Sequence, residues 1–156
     1  FLPDNYLGKY VANKTDVEVI LWNGTCEVHE RFTAKELQNY RITTPGIQII
    51  AHPECSPEVL GEADFVGSTA GMIQYVDQER PSRVVMITEC SMSDNVAVEF
   101  PDVQFIRPCN LCPHMKRITL PNILASLQEL KFEIQLDKTI ASRALGAVRK
   151  MLEFSK

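Results

Sequence analysis

The chain has 156 residues, of which 45% are hydrophobic and 23% charged, with a net charge of −4. That is enough for one buried core, or for two small domains sharing one. The acidic balance excludes a chain-wide basic surface for nucleic acid, and no apolar run approaches the roughly 20 residues that a membrane helix needs.

Five cysteines make an odd count at low density, which points to thiolate chemistry in a reducing compartment, and hence to a cytoplasmic location without a signal peptide. The opening Phe1-Leu2-Pro3-Asp4 reads as the end of a strand, as though the chain began inside a structural unit.

In chain order, Asn5 to Lys14 reads as helix, with Leu7, Tyr10 and Val11 on one side, and Val17 to Trp22 as a strand. After a loop with Cys26, Thr33-Ala34-Lys35-Glu36 is a capping box opening a helix to about Tyr40. Ile47 to Ala51 is a buried-type strand ending in His52-Pro53-Glu54-Cys55, and Ser56-Pro57 starts another helix. Asp64 to Gly67 is a short strand, followed at Ser68-Thr69 by a helix to about Gln78. Val84 to Thr88 is the next strand and a helix runs through Asp94 to Val98. Val103 to Ile106 is a strand entering Arg107–Arg117. Leu120–Lys131 and Lys138–Phe154 are helices, the second with Ile140, Ala144, Leu145, Val148 and Leu152 in one stripe. A brief strand, Glu133 to Leu136, lies between them. Strands alternating with helices through short connections predict an α/β fold with parallel sheets, whose ligands gather at the C-terminal strand ends.

Those ends carry the reactive side chains. Cys26 and His29 stand three apart just past a strand, where Gly24 would let the backbone turn or approach a ligand. The alternative for Cys26 is a packed small hydrophobe. His52 and Glu54, two apart on an extended segment, point to the same side and could touch one substrate. The competing reading is a hydrogen-bonded structural histidine. Gly67-Ser68-Thr69 at a helix start would suit a carboxylate or phosphate, or be a plain N-cap, and Thr88-Glu89 is a weaker version. Cys55 and Cys90 read as structural thiols. Cys109 and Cys112 form a Cys-x-x-Cys pair beside His114, Lys116 and Arg117. Zinc would want a second such pair, a redox motif would open a helix, and haem attachment would need His at position 113. A cluster held from distant loops remains open.

Taken together, these segments resemble the quinolinate synthase family. The matching motifs are Pro3-Asp4 with Leu7-Gly8 and Tyr10, Trp22-x-Gly24-x-Cys26-x-Val28-His29, His52-Pro53-Glu54, Ala63-Asp64-x-Val66-Gly67-Ser68-Thr69, Thr88-Glu89, and Cys109-Asn110-x-Cys112-x-x-Met115-Lys116. The resemblance implies repeated three-layer α/β/α subdomains in a pseudo-threefold, three-domain architecture. It implies a [4Fe–4S] cluster held by one cysteine from each domain, with one iron open to substrate. Iminoaspartate, made by L-aspartate oxidase, would condense there with dihydroxyacetone phosphate to give quinolinate for NAD biosynthesis, with loss of phosphate and water.

Carried over by motif, Cys26 and Cys112 match two cluster ligands. His52 and Glu54 match catalytic and substrate-contacting residues, with Glu54 as the acid/base, and His29, Ser68 and Thr69 match substrate-binding positions. The third cysteine belongs upstream of Phe1. The resemblance thus implies the C-terminal portion of the enzyme, inactive alone, with segment 1–25 at a subdomain boundary, 26–108 as an α/β subdomain and 109–156 packing on a neighbour. A Cys109–Cys112 disulfide would remove a ligand. The competing class is a non-catalytic zinc- or cluster-binding interaction module built on residues 109–117, which would need neither Cys26 nor His52 and Glu54.

Overall fold

The computed structural model describes residues 3–108 and 110–154. Two compact units divide it, Phe1–Lys116 and Arg117–Lys156.

The first unit is built on a four-stranded, all-parallel sheet of β1 (Gln48–Ala51), β2 (Phe65–Val66), β3 (Arg83–Ile87) and β4 (Gln104–Ile106), ordered β2-β1-β3-β4. Its central strands, Gln-Ile-Ile-Ala and Arg-Val-Val-Met-Ile, are almost wholly apolar. Such strands bury both faces. Alternation along the pleat sorts their side chains. Ile49, Ala51, Val85 and Ile87 pack with Leu37 and Val59, from α2 (Ala34–Thr43) and α3 (Pro57–Leu60). Ile50, Val84 and Met86 pack with Met72, Val76 and Val96, from α4 (Thr69–Glu79) and α5 (Cys90–Glu99). Helices therefore cover both faces, giving the α/β/α layering. Each fully buried Ile or Met contributes about 1.5–3 kcal/mol.

Local chemistry sets where the helices start. Thr33 and Glu36 form the reciprocal capping box of α2. Ser56 caps α3 through the Val59 N–H, with Pro57 in the first turn, and Ser68 caps α4 through the Gly71 N–H. Helix α1 (Asn5–Ala12) is capped by Asp4 and tied to the end of β2 by the Tyr10 hydroxyl, which donates to the Val66 carbonyl at 3.3 Å.

Two expected strands are absent among the described residues. Val17 to Trp22 forms no strand, and Val17, Ile20 and Trp22 are exposed. Glu133 to Leu136 likewise forms no ladder, and Ile134 and Leu136 are exposed. β-rich composition makes a strand only where a sheet edge offers a ladder for its N–H and C=O groups, and neither run joins the four-stranded sheet.

The second unit holds α6 (Leu120–Glu129) and α7 (Lys138–Phe154). Thr119 and Asn122 form a capping box that starts α6. The α7 stripe of Ile140, Leu145, Val148 and Leu152 is present on the helix and exposed. No described helix is long and apolar enough to cross a membrane.

Candidate active site and metal-ligand cluster

The strand order reverses between β1 and β3, since β2 lies beyond one and β4 beyond the other. Loops leaving the two central strands diverge there, and that crevice is where open parallel sheets bind ligands. The loop after β1 brings His52 and Glu54, and the loop after β3 brings Thr88 and Glu89. A 3₁₀ turn, His29–Arg31, brings His29. These residues, with Thr69, Ser91, Met92 and Met115, line a cleft of about 420 Å³.

Three side chains form its polar centre. The His29 and His52 rings stack with centroids 4.6 Å apart and planes 16° from parallel. Glu54 Oε2 lies 3.0 Å from His29 Nδ1 and 3.6 Å from His52 Nδ1. His29 is only 7% exposed, and its Nε2 meets Thr88 Oγ1 at 2.9 Å. Its Nδ1 has no aligned hydrogen-bond partner despite the nearby carboxylate. The adjacent His29 imidazole holds Glu54 below its ordinary carboxylate range against the opposing effect of burial, with help from His52 and the Cys26 thiol. Burial and the neighbouring His29 hold His52 below its ordinary range, against the pull of Glu54 and Asp4.

Cys26 stands beside this centre. Its Sγ, a His29 ring nitrogen and a Glu54 carboxylate oxygen all lie within 4.8 Å of one another, a grouping able to hold a metal ion. Buried Asp4 fixes the loop, one oxygen accepting from the Leu7 N–H at 2.7 Å and the other from the Cys26 N–H at 2.9 Å. What approaches Gly24 within the chain is the Trp22 indole and the Pro3 carbonyl. A Cβ there would sit 2.8 Å from the former and 3.2 Å from the latter.

Cys112 reaches the same edge from the loop after β4. Its N–H donates to Glu89 Oε1 at 3.4 Å, while Glu89 Oε2 caps α5 through the Ser91 N–H. Its Sγ accepts from the Met115 N–H at 3.5 Å. His114 Nε2 lies 3.0 Å from Glu27 Oε1, which joins the Cys112 loop to the Cys26 loop, and Lys116 Nζ donates to Ser91 Oγ at 2.6 Å. Cys109 and its expected disulfide lie outside the described residues.

Of the residues singled out in the sequence, His29, His52, Glu54 and Thr69 share the cleft, and Cys26 joins His29 and Glu54. Ser68 does not line it, its hydroxyl being engaged as the α4 cap. Cys55 is fully buried, its Sγ directed at the Ile87 carbonyl, and burial pushes its thiol up to about 12. Sequence reasoning missed the parts played by Asp4, Thr88 and Glu89. All three are buried polar side chains, and all three lie in motifs already noticed.

The family model described as "Quinolinate synthetase A protein" matches residues 1–153. Quinolinate synthase 1 of Mesorhizobium japonicum is 60% identical over 151 residues, covering 97% of this chain and 47% of that protein. Quinolinate synthase of Agrobacterium fabrum is 60% identical over 152 residues, covering 97% of this chain and 44% of the relative. That of Xylella fastidiosa is 54% identical over 151 residues, again covering 97% and 44%. The chain thus spans less than half the length of these curated relatives. With a match over almost its full length, and with the motif residues gathered at one sheet edge, the chain belongs to the quinolinate synthetase A protein family.

Proposed function

We propose that this chain supplies one side of the active site of a quinolinate synthase, which condenses iminoaspartate with dihydroxyacetone phosphate and releases phosphate and water. The observation that carries the reading is the meeting of Glu54, His29 and His52 at the switch point of the sheet, beside Cys26. Joining an imine to a triose phosphate and removing water requires protons to be taken and returned next to a carbonyl or hydroxyl. Glu54, held ionised, is a base at neutral pH. His52, held neutral and stacked on His29, is positioned to orient the substrate and exchange a proton with Glu54. Thr69 offers a hydroxyl at the start of α4, where unpaired backbone N–H groups favour a carboxylate or phosphate. Ser68 supports that anion site by holding the first turn.

The donors present fit the cluster that the family implies. Both Cys26 and Cys112 are partly exposed thiols outside any disulfide. A backbone N–H is aimed at the Cys112 sulfur, as suits a thiolate, and the His114–Glu27 pair joins the two loops. Cys26 and Cys112 would hold a [4Fe–4S] cluster together with a third cysteine from outside this chain. When bound, its open iron supplies Lewis-acid chemistry that polarises a hydroxyl or carbonyl and eases loss of water. With two of three cysteines, this chain by itself holds no complete cluster and turns over no substrate. In NAD biosynthesis its iminoaspartate would come from L-aspartate oxidase. A binding module on residues 109–117 would leave the convergence at Glu54 without a purpose.

The test is anaerobic reconstitution of a full-length protein carrying this chain, with iron content and quinolinate followed in the same samples. The two should rise together. Quinolinate formed by iron-free protein, or none formed by fully loaded protein, would overturn the reading.

A further inference from the structure

We infer that Cys26, His29 and Glu54 form a binding site for a single divalent transition-metal ion of the zinc type in protein that carries no cluster. Thiolate, imidazole and carboxylate are the three donor types zinc accepts, and a set of three leaves a fourth position for water or another ligand. Hard ions such as magnesium or calcium prefer oxygen alone. Around a tetrahedral zinc, neighbouring donor atoms are about 3.3–3.6 Å apart, given metal–ligand bonds of about 2.0–2.3 Å. The three donors here lie within 4.8 Å of one another, and one pair is already at 3.0 Å. Small side-chain rotations close the rest.

The ligands are held before any ion arrives. The Cys26 N–H donates to Asp4 and the Cys26 carbonyl accepts from the Glu30 N–H at 2.9 Å, so the turn carrying Cys26 and His29 is fixed at both ends. The His29 ring is fixed by stacking on His52 and by Thr88 on Nε2. When Nε2–H donates to Thr88 Oγ1, Nδ1 presents its lone pair. That nitrogen is buried, lacks an aligned partner and faces a carboxylate oxygen 3.0 Å away. A proton on Nδ1 reaches Glu54 only through a poorly aligned hydrogen bond, whereas a metal ion on the Nδ1 lone pair would take the carboxylate and the nearby thiolate from one position. The cleft that His29 and Glu54 line leaves the fourth position accessible.

This site does not depend on the enzymatic reading and is tested without activity. The full-length protein, prepared anaerobically without iron, is titrated with Co²⁺ and then Zn²⁺, and the zinc form is examined by X-ray absorption. One ion should bind per chain. Cobalt should show a thiolate charge-transfer band, and the zinc shell should hold one sulfur and one imidazole. Thr88→Val should weaken zinc by about 10–100-fold, as loss of a ligand-orienting partner does. Cys26→Ser and His29→Gln should weaken it further, and Cys112→Ser should leave it unchanged. No binding, or a shell of two or three sulfurs, would overturn the assignment. So would loss of binding in Cys112→Ser with retention in His29→Gln. If a variant fails to fold, the shell of the unaltered protein still decides.

Discussion

Asp4 holds Cys26 by its backbone: one carboxylate oxygen starts helix α1 through the Leu7 N–H, and the other takes the Cys26 N–H at 2.9 Å. Asp4→Ala removes an N-cap, worth about 0.5–2 kcal/mol, and a charged hydrogen bond worth about 1.5–3 kcal/mol. The full-length protein should lose about 2–5 kcal/mol in denaturant unfolding, and Asp4→Asn, which keeps one acceptor, less. An unchanged midpoint in Asp4→Ala would show that the bridge carries no stability.

Thr88 plays the corresponding part for His29. Thr88→Val keeps the shape of the side chain but takes the hydroxyl from a buried ring nitrogen, at about 1–3 kcal/mol. Quinolinate formation should fall through the turnover number more than through apparent substrate affinity, because the ring is positioned by Thr88. Steady-state kinetics beside an unfolding curve would show it.

Acid should weaken the unit in two steps. His52 titrates below its ordinary value of 6.5 in the folded state, so the unfolded chain takes up the proton first and stability falls as pH drops below about 6.5. Glu54 sits below its ordinary 4.5, so its contribution is present above that value and lost as pH falls through the lowered one. Both effects have the same sign. Unfolding followed from pH 8 to about 2 should show the upper step disappear in His52→Gln and the lower in Glu54→Gln. Stability that rose on acidification would contradict the assignment.

The cysteines should separate by reactivity. Cys55, with its thiol pushed up to about 12, has roughly one thiolate in 10⁵ molecules at pH 7. Under native, cluster-free conditions iodoacetamide should label Cys26 and Cys112 and spare Cys55 until the protein is unfolded, as peptide mapping would show. Rapid native labelling of Cys55 would place it outside the core.

What could be read from the chain was what is local. The caps at Thr33, Ser56 and Ser68 and the span Lys138–Phe154 depend on residues a few positions apart, and they stand where expected. The two failed strands, Val17 to Trp22 and Glu133 to Leu136, had suitable composition, but pairing depends on a distant edge. The site divides in the same way. His52 and Glu54 share one short segment and could be paired from it. His29 meets Thr88 across 59 positions and Asp4 meets Cys26 across 22, so only the fold reveals them. Ser68 shows the opposite case, a hydroxyl suited to substrate that the helix start itself engages.

The most direct test of the central claim is an iron count and quinolinate assay on anaerobically reconstituted full-length protein carrying Cys26→Ser, Cys112→Ser or, as a control, Cys55→Ala. The account predicts that the first two lose the intact cluster and quinolinate formation together, while Cys55→Ala retains both. A full complement of iron with normal quinolinate formation in either Cys26→Ser or Cys112→Ser would contradict it.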